Sequence, residues 1–404
     1  MIVFYAHTGT LLLNMLNLKM NQFQNRVADI YIFNSERMPK HLITLTKQSK
    51  TFRNVIVVEP CKKYFSTKIS MSNNLGNILS SALTLLFQDK YYSKIISSNN
   101  INVDEYTSII THGLWLDSIY FVKYFYKLNK DITIQIMDEG IGTNTNSLQT
   151  LANPKRDDLF PNKVQKLIYD IIWFINTGHC CNHDIVNLQK QITDYYLYCP
   201  QESRLYQETS LTPHKLLPLD SNNKLTPLLD KMLDKIDFVE YINRKVWILS
   251  DYDILESHPS HSIFMRILET VLNPFSQKDI ILKAHPGISS LNKQYYSTLW
   301  PELYLDDRKY QLEILYSKVD LNSKILITRL SSSVFYSKYM FGAEPYIIFT
   351  YKLSPKDVNV KYMDEMVSSL KELYKNKGRI FVPSSLNELE VVVSHTLSEG
   401  KNGW

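Results

Sequence analysis

Asp138, His285 and the run Ser331-Ser332-Ser333 are the residues whose types and placement could carry group-transfer chemistry. Each closes a short apolar run. Asp138-Glu139-Gly140 follows Ile132-Thr133-Ile134-Gln135-Ile136-Met137, and Lys283-Ala284-His285-Pro286-Gly287 follows Ile280-Ile281-Leu282. The serines follow Lys324-Ile325-Leu326-Ile327-Thr328, separated from it only by Arg329-Leu330. A carboxylate at a strand end can take a proton from an attacking hydroxyl. Asp138 and Glu139 are neighbours, so on a strand end they point in different directions and only one can face a given atom. Gly140 lets the backbone turn sharply and approach a ligand closely. The competing use of such a tripeptide is a turn whose acids cap the next helix.

Pro286 prevents a helix from running through His285, which holds the imidazole at the mouth of its strand. A histidine there, with Lys283 two residues back, can protonate a departing phosphate oxygen. A second pair, His258-Pro259, follows a polar stretch rather than a strand, which makes His285 the better candidate. Hydroxyls and backbone N–H groups at Ser331, Ser332 and Ser333 suit an anion such as a phosphate or carboxylate, with simple N-capping as the alternative. Glu313, at the start of a helical run, could accept hydrogen bonds from a ribose diol or be a solvated helix-face acid. Thr8, in the first loop, and Ser250, after another apolar run, complete the candidates.

These groups need strands to hold them, and the chain supplies a regular alternation. Residues 2–5, 30–33, 55–58, 107–111 and 132–137 read as strands. Residues 10–20, the stripe Leu75, Ile78, Leu79, Ala82, Leu83, Leu86, and a Tyr/Phe-rich stretch to about 126 read as helices. The 107–111 strand ends at His112-Gly113. Residues 195–199, stopped by Pro200, read as the strand that closes the first sheet. The rhythm restarts at 246–249, then runs through helix 262–272, strand 280–283, helix 311–317, strands 325–328, 346–349 and 379–382, and helix 385–398. Such alternation predicts parallel sheets covered on both faces. The expected architecture is α/β: two doubly wound sheets facing across a cleft, with the site outside the carboxyl ends of the strands. The first domain is expected over 1–225 with a less regular insertion at about 141–215. The second covers 240–384, and a terminal helix at 385–404 packs back on the first.

Composition narrows the function classes. The 404 residues are 44% hydrophobic and 21% charged, enough for two cored domains rather than a disordered chain. The net charge of +5 is too mild for a nucleic-acid binder. The opening Met1-Ile2-Val3-Phe4-Tyr5-Ala6-His7 has no basic residue before its apolar stretch and reads as a first core strand, not a signal peptide. Four scattered cysteines suggest a reducing compartment, so the chain is expected in the cytoplasm. Within the insertion, Val164, Leu167, Ile168, Ile171, Ile172 and Trp173 form an apolar face beside Lys155, Arg156, Lys163 and Lys166. That face reads first as core-facing and second as a seat on the inner face of the membrane. His179-Cys180-Cys181-Asn182-His183 crowds its donors into five residues with no second pair at zinc-site spacing, and reads as a loop.

Taken in order, the acidic pair with glycine, the His-Pro pair and the serine run resemble the three short motifs of bacterial sialyltransferases of the GT-B type, with two Rossmann-like domains. The opening Val3-Phe4-Tyr5-Ala6-His7-Thr8-Gly9-Thr10-Leu11-Leu12 is similar to the start of glycosyltransferase family 52, the lipooligosaccharide and capsule branch. The resemblance implies inverting transfer of sialic acid from CMP-sialic acid, as donor substrate, to a cell-surface glycan, with no cofactor and no required metal. It makes Asp138 the base on the acceptor hydroxyl and His285 the acid on the departing phosphate. Lys283, Pro286, Gly287, Glu313 and two of the three serines would contact the donor, Glu313 at the ribose. Transferases using CMP-Kdo or CDP-glycerol share the His-Pro and serine signals, although the latter carry an acid where this chain has Arg329-Leu330. A non-catalytic glycan-assembly protein on the same fold is the third reading.

Overall fold

The structure is a computed structural model. It describes residues 1–35, 38–59, 94–95, 97–98, 102–114, 117–140, 143, 167, 170–171, 174, 181–233, 237–288, 290–354 and 359–402. The chain forms two compact units, Met1–Leu217 and Pro218–Trp404. The helical stripe expected at Leu75–Leu86 and the His179-Cys180 part of the crowded run lie outside the described residues.

The first unit is a seven-stranded parallel sheet of β1 (Ile2–Ala6), β2 (Ala28–Phe33), β3 (Val55–Val58), β4 (Ser108–Thr111), β5 (Thr133–Met137), β6 (Ile192–Leu197) and β7 (Thr212–Lys215). Their spatial order is β3-β2-β1-β4-β5-β6-β7. β1 and β2 are buried at every residue, as strands covered on both faces must be, so apolar side chains occupy both sides of each pleat. Val3, Tyr5, Ile109, Ile134 and Ile136 meet Phe121, Val122 and Phe125 of the Asp117–Leu128 helix in one core.

The second unit is a six-stranded parallel sheet, β10-β9-β8-β11-β12-β13. Its strands are β8 (Val246–Leu249), β9 (Ile280–Lys283), β10 (Tyr304–Asp306), β11 (Ile325–Thr328), β12 (Tyr346–Phe349) and β13 (Ile380–Phe381). Ile248, Leu282 and Ile327 pack with Phe264, Leu268 and Val271 of the His261–Leu272 helix. Two doubly wound parallel sheets are therefore the fold, as the alternation predicts.

Three details differ from the sequence reading. β6 does not close the first sheet, because β7 pairs beyond it, and both lie inside the expected 141–215 insertion. The Leu386–Asn402 helix, expected to pack back on the first domain, places Leu389 and Val393 in the second unit's core. Of the face expected to be core-facing, Leu167 and Ile171 are exposed at 59% and 49%, as is neighbouring Phe174 at 57%; Val164, Ile168, Ile172 and Trp173 lie outside the described residues. The spacing of Leu167, Ile171 and Phe174, four and three residues, is that of one helix face.

Candidate functional site

Each sheet reverses its strand order once. In the first unit the reversal falls between β1 and β4, whose connections leave in opposite directions; in the second it falls between β8 and β11. Crevices open outside the carboxyl ends of strands at such points. β1 ends at His7, β4 at His112, and β5, next in the sheet, at Asp138.

Asp138 is fully buried. Its Oδ1 accepts the Gly140 N–H at 2.9 Å, closing a tight turn, and Gly140 has a φ of 148°, where a side chain would be strained. The turn is anchored from behind: Asn14 donates to the Asp138 carbonyl at 2.8 Å, and Tyr198 donates to Asn14 at 3.0 Å. Asn14 and Asn17 interrupt the Leu-rich Gly9–Asn21 helix because they face β5 and β6 rather than apolar neighbours; Asn17 donates to the Tyr198 hydroxyl. Thr8 caps that helix by accepting from the Leu11 N–H at 3.3 Å.

Glu139 has different partners from Asp138. Its Oε1 lies 2.9 Å from His7 Nε2 and its Oε2 3.8 Å from His112 Nε2. The two imidazoles pack at a tilt of 41°, with centroids 4.0 Å apart. Burial alone would raise the Glu139 carboxyl, but the two histidines and hydrogen bonds from His7 and Thr8 hold it well below the usual carboxylate range. The Glu139 N–H donates to Thr143 Oγ1 at 3.2 Å.

In the second unit, His285 Nδ1 accepts the Gly287 N–H at 3.0 Å. The neutral ring therefore carries its proton on Nε2, the nitrogen that can donate outward. Tyr252 packs against the ring with centroids 5.3 Å apart. A methyl group on Gly287 would meet the Tyr252 hydroxyl at 2.8 Å and His285 Nδ1 at 3.0 Å. Gly287→Ala is accordingly expected to cost about 1–3 kcal/mol in denaturant unfolding. An unchanged midpoint would mean that Tyr252 and His285 part without strain.

Lys283, expected to contact the donor, is buried and donates to the Arg308 carbonyl beside Asp306. Burial lowers its ammonium below the usual lysine range. It holds the end of β9 in place rather than reaching an open surface. Ser250 also binds inward, its N–H and hydroxyl both donating to the Lys283 carbonyl at 3.0 and 3.1 Å. Pro286 is half-buried between His285 and Gly287.

The serine run and Glu313 come together. Ser333 donates to Glu313 Oε1 at 2.8 Å, and Ser331 Oγ accepts the Ser333 N–H at 3.3 Å. Ser332 makes no side-chain capping bond, so only part of the run is used as a helix cap. Glu313 is 2% exposed, which pushes its carboxyl up, and its Oε2 has no hydrogen-bond partner among the described residues.

His7, His112, Arg329, Asp251 and Asp253 stand beside these candidates without belonging to any of the three short motifs. Arg329 is buried at the end of β11, 3.7 Å from Asp251 and 3.8 Å from Asp253, which follow β8 across the reversal point. Burial, with the Asp251 carboxylate alongside, pushes Asp253 up to about 6 against the pull of Arg329. The signal was the same as for His285, a polar residue just beyond an apolar strand.

No family model matches the chain, and no curated protein matches it in sequence. Solved structures match over nearly its whole length. A Staphylococcus aureus MnaA–UDP co-structure is 8% identical, covering 99% of this chain and 96% of that one at a TM-score of 0.47. TcCGT1 in complex with UDP is 10% identical, with 99% and 91% covered and a TM-score of 0.48. UDP-GlcNAc 2-epimerase from Neisseria meningitidis bound to UDP-GlcNAc is 10% identical, with 99% and 100% covered and a TM-score of 0.42. Likeness at this level names neither a donor nor a reaction for this chain.

Proposed function

We propose that this chain is a nucleotide-sugar-dependent glycosyltransferase, specifically an inverting sialyltransferase that moves sialic acid from CMP-sialic acid to a hydroxyl of a lipooligosaccharide or capsule glycan. One observation carries the reading furthest. Glu313, joined to the serine run through Ser333, keeps a buried carboxylate oxygen with no partner among the described residues. A buried acceptor without a donor costs stability, and a ribose hydroxyl is the kind of group that would satisfy it. The order of Asp138, His285, Glu313 and the serines along the chain is the second support.

In this reading the serines bind the donor's phosphate or carboxylate. The acceptor hydroxyl gives its proton to Asp138 as its oxygen bonds to the anomeric carbon. The bond from that carbon to the CMP oxygen breaks on the opposite face, and His285 Nε2–H stabilises the leaving phosphate. Opposed groups of this kind suit an inverting displacement through an oxocarbenium-like centre. Glu139 is not the base, because both its oxygens face imidazoles. Asp138 acts once the acceptor uncovers its second oxygen.

The test is mass-spectrometric detection of CMP release from CMP-sialic acid across a small acceptor panel, with CMP-Kdo and CDP-glycerol in parallel. Release and acceptor sialylation with CMP-sialic acid alone are expected. Turnover of another donor instead would move the reading to polymer synthesis, and no binding or turnover of any donor would leave a non-catalytic glycan-assembly protein. Among the described residues no helix is long and apolar enough to cross a membrane. The exposed Leu167, Ile171 and Phe174 support peripheral seating on an anionic bilayer. Co-sedimentation with anionic vesicles in the same assay reads it, and equal recovery with and without vesicles would count against it.

A further inference from the structure

We propose that His7, His112 and Glu139 form a binding site for one divalent transition ion of the zinc class. The residues come from the ends of β1, β4 and β5, three strands that are adjacent in the sheet but distant in sequence. Their candidate donor atoms all lie within 4.8 Å of one another. Two imidazoles and a carboxylate suit zinc and its neighbours, whereas calcium and magnesium prefer oxygen surroundings.

The spacing fits an ion. A tetrahedral zinc with bonds of about 2.0–2.2 Å sets its donors about 3.3–3.6 Å apart. The two nitrogen-to-oxygen distances, 2.9 Å from His7 to Oε1 and 3.8 Å from His112 to Oε2, lie on either side of that range but run to different oxygens, so the Glu139 carboxylate must rotate to present one oxygen to both rings. A proton shared between His7 and Glu139 accounts for the shorter distance. His112 Nε2 stands 3.8 Å from Oε2, so one carboxylate lies near both imidazoles.

The surroundings hold the donors in place. Both rings are buried, His7 at 8% and His112 at 1% exposure. Thr111 Oγ1 lies 3.4 Å from His112 Nδ1, an outer partner on the ring's other nitrogen. Glu139 is braced by the Thr8 hydroxyl and, through its N–H, by Thr143. Three protein donors leave a fourth position for water, as in zinc sites with three protein ligands. The inference does not depend on the donor or reaction proposed above. The ion would tie three strand ends together at the root of the loop that carries Asp138.

Cobalt(II) is the probe. Full-length protein is stripped with chelator, dialysed and titrated with Co2+, then with Zn2+. One equivalent per chain should produce tetrahedral ligand-field bands in the visible, and Zn2+ should abolish them. Glu139→Gln and His112→Ala should each weaken Co2+ binding by about tenfold or more, while His183→Ala should leave it unchanged. Absence of bands at millimolar Co2+, or unchanged affinity in both site variants, overturns the proposal. If a variant fails to fold by circular dichroism, X-ray absorption on the zinc-loaded wild type decides. Two imidazoles and oxygen around zinc support the site; sulfur in the inner shell places the ion at the cysteines and overturns it.

Discussion

Replacing His285 with alanine is expected to lower turnover of the CMP-activated donor by about a hundredfold or more, the usual scale for a lost acid or base. The glutamine variant says which role was lost. His285 Nδ1 accepts from Gly287, so the resting ring is neutral and its Nε2–H can only donate a hydrogen bond. To deliver a proton outright, the ring must first become an imidazolium, and Nδ1 must release the Gly287 N–H. A glutamine amide can present an N–H close to where Nε2 stands but cannot transfer the proton. If hydrogen bonding to the departing phosphate is what counts, His285→Gln should keep turnover within about tenfold of wild type. If proton transfer is required, it should be as slow as His285→Ala. Wild-type kcat should then fall with rising pH in a way that the glutamine variant does not reproduce. Near-normal turnover in His285→Ala would remove this residue from the reaction.

The strands were legible because a parallel sheet buried on both faces needs apolar residues at consecutive positions. β8, β9, β11 and β12 show that as apolar runs broken at most at their last residue, and the edge strand β3 reads the same way although it is mostly half-buried. β7 was missed because its Thr-Pro-His-Lys is an edge strand, where proline and exposed polar residues are tolerated. β10 was missed because three residues ending in an aspartate carry no periodicity. Residues such as Asp138 and His285 could be singled out since each combines a reactive group with a Gly or Pro beside a strand.

His7 and His112 could not be joined to Glu139 from sequence. Their meeting depends on β1 lying beside β4 and β4 beside β5, and strand order is a property of pairing, not of local pattern. The same holds for Arg329 with Asp251 and Asp253, which meet only because β11 pairs with β8. Lys283 shows the converse. A lysine two residues from a candidate acid looks like a ligand contact, but its position at the last residue of a fully buried strand turns it inward to the Arg308 carbonyl.

Asp138 closes a turn and, under the proposed mechanism, also takes the acceptor proton; a pair of substitutions separates the two. Its Oδ1 closes the turn onto Gly140, and its remaining oxygen is the one assigned to the acceptor proton. Asparagine keeps an acceptor for the Gly140 N–H but is not a base. Asp138→Asn should therefore fold like wild type, bind CMP as well as wild type, and turn over about a hundredfold more slowly or worse. Alanine removes both functions. It leaves the Gly140 N–H without that partner in a buried turn, which costs about 1–3 kcal/mol in addition to the lost turnover. Titration calorimetry with CMP, thermal melting and initial rates measured on both variants distinguish these effects. If asparagine turns over normally, the Asp138 carboxylate is only a turn closure and the base must be sought elsewhere. If asparagine melts as early as alanine, the turn depends on the charge of Asp138 rather than on its hydrogen bond. A slow asparagine variant with wild-type melting and wild-type CMP affinity is the one pattern that a purely structural Asp138 cannot produce.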